Sequence, residues 1–462
     1  MKVYDLIVIG SGPAGHHAAI QAAKLAKRVA VIEKRESVGG VCINTGAIPS
    51  KTLREAVLFL SGFRQRGLYG MSYAVKRDIN IADLSFQVNH VIKHEIDVCN
   101  AQFARNGVEV INGCASFLDA RHVRIQQRDG VEDFEAGAIV IATGTSPARS
   151  DQVPIDGTTI IDTEMFTRLA SIPKTMTIIG AGVAGVEYAC IAAALGIKVT
   201  LLDLRPRMLE FVDGEIIEAL SYHMRENGVT FRLGEEMEQV IKSPSGKVVV
   251  TLKSRKEIHS DVVLYSVGRQ GSTRELNLEA VGLQADARGR IAVNASYQTA
   301  VPNIYAVGDV IGFPSLASVS GEQGRLAACH AFGQPANSLP HLFPYGIYTI
   351  PEISYVGQNE EQLTAAGIPY EVGIARYRES ARGQIVGDNS GLLKLLFHRE
   401  TRKLLGVITI GEGATELIHT GQAVLAFDGT IDYFVNNVFN YPTLGECYKV
   451  AALSGVNRLT PV

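Results

Sequence analysis

The sequence predicts an α/β protein with two Rossmann-like units and a smaller α+β unit at the C-terminal end. Three observations support this fold class. The chain has 462 residues, enough for several domains. A strand–helix–strand pattern with a glycine-rich turn occurs twice, and after about residue 343 short β runs mixed with helices replace it. The 46 glycines also exceed the usual share, which indicates many tight turns and close backbone approaches.

The internal repeat is the most informative feature of the chain. Residues 4–33 read YDLIVIGSGPAGHHAAIQAAKLAKRVAVIE, and residues 175–203 read TMTIIGAGVAGVEYACIAAALGIKVTLLD. Each copy has an apolar β run, a G-x-G-x-x-G turn, an Ala-rich helix and a second β run that ends in an acid. The residues at these positions are Gly10, Gly12, Gly15 and Glu33 in the first copy, and Gly180, Gly182, Gly185 and Asp203 in the second.

The spacing within each copy has a mechanical reason. The first glycine makes the strand-to-helix turn, the second lets the backbone approach a pyrophosphate, and the third allows close helix–strand packing. The pyrophosphate then lies at the helix N-terminus, and the acid accepts hydrogen bonds from a ribose. One such motif is weak support, but two matching copies predict two dinucleotide sites.

Composition excludes several other classes. The net charge of −3 and the absence of a basic block argue against nucleic-acid and membrane partners. No apolar run is long enough for a transmembrane helix. The six cysteines form no C-x-x-C pair, so we expect a reducing cytoplasm and no disulfide framework. No cluster of metal-ligating residues stands out, and we expect no metal.

Candidate linkers divide the chain. They lie near residues 145–151 and 268–274, each just after a strand-like run that ends in glycine. A further buried β run, VPNIYAVGDVIG, covers residues 301–312. We therefore predict a first domain made of residues 1–149 and 273–342, a second dinucleotide domain at 150–272 inserted in it, and a C-terminal domain at 343–462.

This arrangement resembles the flavoprotein disulfide reductases, the class I pyridine nucleotide-disulfide oxidoreductases that include lipoamide dehydrogenase and glutathione reductase. The motifs that carry the resemblance are the two repeats, GGVCINTGAIPSK at 39–51, IATG at 141–144 and VGD at 307–309. The resemblance implies FAD in the first site, NAD or NADP in the second, and a C-terminal interface that forms a homodimer or a higher homo-oligomer.

The resemblance also implies a set of cofactor-binding residues. In the FAD domain and the nicotinamide domain these are Gly10, Gly12, Pro13, Ala14, Gly15, Glu33, Lys34, Gly40, Val41, Cys42, Lys51, Ala115, Ala142, Thr143, Gly144, Gly308, Asp309, Leu316, Ala317, Gly180, Gly182, Val183, Ala184, Gly185, Glu187, Asp203, Arg205, Arg207, Gly268 and Arg269.

Two departures from the reductase pattern bear on activity. The reductases have a second cysteine where this chain has Ala47, and a histidine where it has Tyr441. A dithiol relay needs one thiol to attack and a second to resolve the mixed disulfide, so Cys42 alone cannot run it. Tyrosine is also a poor base at neutral pH. Dithiol–disulfide chemistry is therefore excluded, and we interpret Cys42 as a small apolar filler.

The hydride-handling residues of the family are retained. Lys51 lies in I-P-S-K at a predicted helix start, where the resemblance implies a cation beside flavin N5, and Glu187 matches its carboxylate partner. Such a cation stabilises negative charge as hydride arrives. The alternatives without a catalytic role are that Lys51 is a solvated helix residue and that Glu187 is an ordinary acid in the first turn of its helix. We interpret Lys51 and Glu187 as the catalytic pair.

Among its relatives the chain looks most like the soluble pyridine nucleotide transhydrogenases, which implies ping-pong hydride transfer between NADPH and NAD⁺. Asp203 suits the ribose of NAD, and Arg205 and Arg207 suit the 2′-phosphate of NADP, unless both arginines are only surface residues. Two alternatives stay open. One is an NAD(P)H oxidase, diaphorase or quinone reductase on the same scaffold. The other is a non-catalytic module that binds flavin and nucleotide.

Overall fold

A computed structural model of the chain describes residues 2–336 and 342–459. Parts of two predicted domains, residues 337–341 and 460–462, lie outside the described residues, as does Met1. The described residues form 22 strands and 13 α-helices. The strands are β1 (Lys2–Ile9), β2 (Val29–Glu33), β3 (Glu109–Asn112), β4 (Cys114–Phe117), β5 (His122–Gln126), β6 (Val131–Ile141), β7 (Thr145–Pro147), β8 (Ile160–Asp162), β9 (Thr175–Ile179), β10 (Lys198–Asp203), β11 (Val229–Leu233), β12 (Met237–Lys242), β13 (Val248–Leu252), β14 (Glu257–Ser260), β15 (Val262–Tyr265), β16 (Arg269–Gly271), β17 (Ile304–Ala306), β18 (Tyr345–Ile347), β19 (Ile353–Gly357), β20 (Tyr370–Arg376), β21 (Leu392–His398) and β22 (Leu404–Ile410). The helices are α1 (Pro13–Lys24), α2 (Gly40–Asn44), α3 (Ala47–Leu60), α4 (Arg66–Tyr69), α5 (Ile81–Arg105), α6 (Val183–Ala194), α7 (Gly214–Glu226), α8 (Ala317–Ala331), α9 (Glu360–Ala365), α10 (Ala381–Val386), α11 (Ala414–Ala426), α12 (Asp432–Asn436) and α13 (Glu446–Leu459).

The described residues divide into two compact units. The first unit contains residues 2–52, 85–149 and 268–336, and the second contains 53–84, 150–267 and 342–459. Each unit includes one copy of the sequence repeat.

The first unit is built on a sheet with the order β3-β2-β1-β6-β5-β4, and β17 also pairs with β6. The pairs β3–β2, β2–β1, β1–β6 and β6–β17 are parallel, while the pairs β4–β5 and β5–β6 are antiparallel. Parallel strands covered on both faces are apolar throughout, and all five residues of β2 are buried. The first repeat, β1–α1–β2, is the βαβ unit that the sequence predicts.

The second repeat, β9–α6–β10, lies in the parallel sheet of the second unit, which has the order β11-β10-β9-β15-β8. Helix α6 is buried from Gly185 to Ala194, which explains its run of small residues. A three-stranded antiparallel sheet, β12-β13-β14, accompanies this parallel sheet. The segments predicted as linkers contain β7 and β16, which form a short antiparallel pair in the first unit.

The C-terminal part of the second unit has an antiparallel sheet with the order β18-β19-β22-β21-β20. Its core includes Phe397, Phe434 and Tyr448, and α11 and α13 supply several of the other core side chains. The predicted fold class, α/β with a C-terminal α+β part, is confirmed. Within residues 2–336 and 342–459, no helix has both the length and the apolar character needed to cross a bilayer.

A buried lysine lies inside the second unit. The side chain of Lys394 on β21 is 1% exposed, and its ammonium contacts both carboxylate oxygens of Asp213 at 3.1 and 3.0 Å. Glu215, at 3.1 Å, and Glu360 are its further partners. Burial alone would lower the pKa of Lys394, but the bond to Glu360 and the charge of Asp213 raise it above its usual value. The lysine therefore stays charged and joins β21 to the start of α7.

Candidate dinucleotide sites

The glycine turns of the two repeats have the same geometry. Gly10 and Gly180 have φ angles of +103° and +107°, in the region that favours glycine. A Cβ on Gly15 would lie 1.9 Å from the carbonyl oxygen of Gly10, and a Cβ on Gly185 would lie 1.8 Å from that of Gly180. Both turns thus require glycine at these positions, as the sequence predicts.

The middle glycine of each turn has open space in front of it. A Cβ on Gly182 would meet nothing within 4 Å, and one on Gly12 would meet only the Cα of Gly40 at 3.9 Å. The two helices that follow begin at Pro13 and Val183, with their unpaired N–H groups at this end. Each turn therefore leaves room for a pyrophosphate at a helix N-terminus.

The acid of the first repeat is held by neutral donors. Glu33 is 5% exposed, and its carboxylate accepts from the Ser11 N–H at 3.0 Å and from the Ser11 hydroxyl. The other carboxylate oxygen accepts from the Arg35 N–H at 2.8 Å. The Ser11 Oγ also accepts from the Gly39 N–H at 3.0 Å, so Ser11 connects this acid to the turn before α2. The Ser11 hydroxyl and two backbone N–H groups thus orient the Glu33 carboxylate.

The acid of the second repeat carries an arginine fork. Asp203 is 8% exposed and accepts from the Ala181 N–H at 2.6 Å and the Arg205 N–H at 2.8 Å. The guanidinium of Arg205 also donates to Asp203, from Nε to one carboxylate oxygen at 3.0 Å and from Nη2 to the other at 2.8 Å. Burial would raise the pKa of Asp203, but the Arg205 fork and the backbone donors hold it below its usual value. Both signs of charge are therefore present at the end of β10, where the sequence predicts a nucleotide ribose.

Asp309 is half-buried and belongs to a chain of polar side chains in the first unit that ends at the exposed Arg269. Its carboxylate accepts from the Thr145 hydroxyl at 3.3 Å, and Arg269 donates from Nε to that hydroxyl oxygen at 2.7 Å. Burial raises the pKa of Asp309, although the charge of Arg269 opposes the rise. The preceding Gly308 packs on the first turn of α1, since a Cβ there would be 3.0 Å from Ala14 Cβ. The predicted VGD motif is thus placed beside the first glycine turn.

Cys42 lies on α2 as a free thiol. Burial raises its pKa, and the charge of Asp309 adds to the rise while that of Lys51 opposes it. The thiol is therefore protonated at neutral pH and is a poor nucleophile. Lys51 is half-buried in the second turn of α3, which begins at Ala47, and its ammonium is 3.4 Å from Ser50 Oγ.

Two buried hydroxyls of the first unit support a bound ligand. Within the described residues, Thr45 Oγ1 and Thr143 Oγ1 are buried and have no hydrogen-bond partner. Buried polar atoms without partners are uncommon and destabilising unless a ligand or water satisfies them. Thr143 is one of the predicted cofactor-binding residues. Thr45 lies inside the motif at 39–51, and the sequence analysis missed it because no residue-type rule distinguishes a ligand-binding threonine from a helix cap.

Glu187 is 4% exposed in α6, and its Oε1 accepts from the Tyr348 N–H at 2.8 Å. The next residue, Thr349, accepts at its carbonyl from Arg54 Nε at 3.0 Å. Arg54 is one turn after Lys51 on α3, is 3% exposed, and also pairs with Glu352 at 3.6 Å. Tyr348, Thr349 and Arg54 were not predicted, since they lie far from Glu187 in the sequence and in no recognised motif.

The other predicted site residues lie in varied surroundings. Lys34 is exposed and pairs with Glu275. Ala115 is buried in β4, Leu316 caps α8, and Val183 is half-buried at the start of α6. Arg207 is exposed, and its guanidinium lies close to Gly214, whose N–H donates to Glu361 at 2.9 Å. The remaining predicted residues lie in the first turns of helices or just after strands: Pro13, Gly40, Val41, Ala184 and Ala317 in the former, and Ala142, Gly144 and Gly268 in the latter.

Comparison with known families agrees with this geometry. Residues 4–324 match the family described as pyridine nucleotide-disulphide oxidoreductase, and residues 343–452 match its dimerisation domain. The chain belongs to the pyridine nucleotide-disulphide oxidoreductase family. It is therefore an oxidoreductase of the class that uses FAD and pyridine nucleotides, and its dimerisation domain supports a homodimer.

Individual relatives make the assignment more specific. The chain is 52% identical to a protein of Mycobacterium tuberculosis named soluble pyridine nucleotide transhydrogenase, covering 99% of this chain and 98% of the relative. A relative of Yersinia pestis with the same name is 47% identical over the same shares. The predicted resemblance to the soluble transhydrogenases is thus confirmed.

Solved structures confirm the fold over the whole chain. The crystal structure of LpdA from Mycobacterium tuberculosis is 26% identical, with a TM-score of 0.90 and full coverage of both chains. The HOCl-induced flavoprotein disulfide reductase RclA from Escherichia coli is 25% identical, with a TM-score of 0.88, and covers 97% of this chain and 99% of its own.

Proposed function

We propose that this protein transfers hydride from NADPH to NAD⁺ in a ping-pong reaction, with both nucleotides using the site of the second repeat in turn. FAD, when bound in the first repeat, supplies the centre that accepts a hydride and returns it. The observation that carries the proposal is the Asp203–Arg205 pair. A transhydrogenase differs from other members of its class because it must accept both nucleotides, and this pair offers a partner to each.

The geometry of Arg205 suits a 2′-phosphate without moving the pair. Its Nε and Nη2 are used on Asp203, which leaves the second edge of the planar guanidinium, with Nη1, for a phosphate. A 2′-hydroxyl donates to the carboxylate instead, so Arg205 would release its hydrogen bonds to Asp203 when NAD⁺ binds. The side chain of Arg205 is 45% exposed, so water can replace the lost contact and the free-energy cost of the exchange is small.

We assign the hydride step to Lys51 and Glu187, as the family resemblance implies. The ammonium of Lys51 would stabilise the charge that develops at the flavin, and the resemblance implies that the carboxylate of Glu187 is the partner of that lysine. The Tyr348 N–H fixes Glu187 from the backbone, where a side-chain substitution cannot remove it. Cys42 has no redox partner in this assignment, because Ala47 occupies the position of the second thiol.

The domain assignments follow the same proposal. Residues 1–149 and 273–342 would bind FAD, residues 150–272 would bind the nicotinamide nucleotide, and 343–462 would form the homodimer interface. In support of the last, Phe427 and Val438 are 87% and 93% exposed. All six cysteines are free thiols, which fits a cytoplasmic location and a role in cellular redox balance.

The test is anaerobic mixing of the purified holoenzyme with NADPH and thio-NAD⁺, with absorbance of thio-NADH as the readout. Lys51→Ala should turn over at least tenfold more slowly, while Lys93→Ala, an exposed lysine on α5, serves as the matched control. If NADPH bleaches the flavin but thio-NAD⁺ stays oxidised, the transhydrogenase proposal fails. Rapid oxidation of the reduced enzyme by oxygen or a quinone would then favour the oxidase or diaphorase alternative.

A further inference from the structure

A cavity of about 300 Å³ opens in the first unit between α1, α5 and α8. It lies on a face of α1 formed by residues four apart, and it is separate from the glycine turn at the N-terminus of that helix. Its volume is at the lower end of the range for pockets that bind small molecules. The lining residues on which the inference rests are His16, Ile20, Lys24, Gln102, Arg105 and Arg325.

The rim of this cavity is cationic. Lys24, Arg105 and Arg325 line it, and no carboxylate does. Arg325 is neutralised by a fork to Glu322, with Nε at 2.8 Å and Nη2 at 2.6 Å. Over residues 2–336 and 342–459, no ion pair neutralises Lys24 or Arg105. Two permanent positive charges thus remain at the mouth, which favours an anion.

The surface that lines the cavity is mostly apolar, and one of its residues, His16, has a ring nitrogen without a partner among the described residues. The ring of His16 packs edge-on against that of Phe103, with the ring centroids 4.8 Å apart, and Ile20 lies one turn further along α1. In the described part of the chain, His16 Nε2 is buried and makes no hydrogen bond. Such an atom is costly to leave unpaired, so a ligand that reaches it gains a hydrogen bond at a site already withdrawn from water.

We propose that this cavity binds a small organic anion, a flat ring with one phosphate or carboxylate group. The ring would lie against His16 and Ile20, and the anionic group would lie between Lys24 and Arg105. Neither dinucleotide site is involved, so this binding site goes beyond the proposed function. Because α1 also begins at the predicted FAD turn, an occupant would contact the helix that presents its N-terminus to the cofactor.

The test is isothermal titration of the holoenzyme with phenyl phosphate, in the presence of saturating NADP⁺ to fill the nicotinamide site. Inorganic phosphate tests the anion without the ring, and benzyl alcohol tests the ring without the anion. We expect saturable binding of phenyl phosphate that is at least tenfold tighter than that of either fragment. We expect the double variant Lys24→Ala/Arg105→Ala to bind it at least tenfold more weakly, and Lys93→Ala to bind it as the wild type does.

Three results would overturn the proposal. These are no saturable binding at millimolar phenyl phosphate, equal affinity for phenyl phosphate and inorganic phosphate, and unchanged affinity in the double variant. The variant changes only exposed residues, so its folding is not in question. A further variant, Ile20→Trp, should fill the apolar interior and abolish binding of the ring while the flavin spectrum of the holoenzyme is retained.

Discussion

Replacement of Arg205 by alanine should separate the two nucleotides. For NADP(H), the change removes a charge-assisted contact to the 2′-phosphate, which is typically worth about 1.5–3 kcal/mol. Since about 1.4 kcal/mol corresponds to a tenfold change in affinity, NADP(H) binding should weaken by about 10- to 100-fold. For NAD(H), the change has the opposite sign, because Asp203 no longer has to leave its fork before it accepts the ribose.

The size of the expected gain in NAD(H) affinity follows from the solvent exposure of Arg205. The side chain of Arg205 is 45% exposed, so its pair with Asp203 belongs with surface ion pairs, worth about 0.2–1 kcal/mol. NAD(H) should therefore bind up to about fivefold more tightly in Arg205→Ala.

The assay is the dissociation constant of each nucleotide, measured by quenching of flavin fluorescence under anaerobic conditions. Arg205→Lys keeps the charge without the fork and should give an intermediate NADP(H) affinity. Lys198→Ala, which changes an exposed basic residue at the opposite end of β10 from Asp203, is the matched control. An equal loss of affinity for both nucleotides, or no loss for NADP(H), would refute the reasoning.

Three further predictions concern stability and the glycine turns. Lys394→Met should lower the free energy of unfolding by about 3–5 kcal/mol, because Asp213 is left buried without its cation; calorimetry should show partial recovery on adding Asp213→Asn, and no recovery would contradict the account. Gly185→Ala should abolish flavin reduction by NADPH while the bound flavin is retained, since its Cβ would lie 1.8 Å from the Gly180 oxygen; loss of the flavin as well would count against it. Burial lowers the pKa of His16 to about 4 from 6.5, so the unfolded chain takes up the proton first and stability should fall as pH decreases from about 6.5 to about 4. The thermal midpoint of His16→Gln should fall less steeply, and parallel pH profiles would disprove this.

The parts of the molecule that could be predicted from the sequence are those with local causes. Both repeats, their acids and the α+β part follow from strand and helix periodicity and from the fixed roles of three glycines, which act within a few residues of each other. The family resemblance added the identity of the cofactors and the proposal of a catalytic role for Lys51, and the departure at Ala47 argued against thiol chemistry before any geometry was known.

The parts that could not be predicted depend on contacts between distant segments. Tyr348 reaches Glu187 across 161 residues, and Lys394 reaches Asp213 across 181. The periodicity of apolar residues in the sequence does not indicate such pairs, because only the complete fold brings their two members together. The fork between Asp203 and Arg205 is local, yet the sequence did not show that Arg205, which is exposed, pairs with the acid, since rotamer choice depends on the final packing around the acid.

The locked glycine turns have a consequence for how the protein acquires its cofactor. The carbonyl just after a neighbouring strand, β6 or β15, limits each turn, because a Cβ on Gly10 would lie 2.4 Å from the Ala142 oxygen and one on Gly180 would lie 2.3 Å from the Ser266 oxygen. The backbone that receives a pyrophosphate is therefore shaped by the finished sheet rather than by the ligand. Little chain entropy then has to be lost on binding. Reconstitution of the flavin-free protein should accordingly be limited by encounter with FAD and not by reordering of the loop.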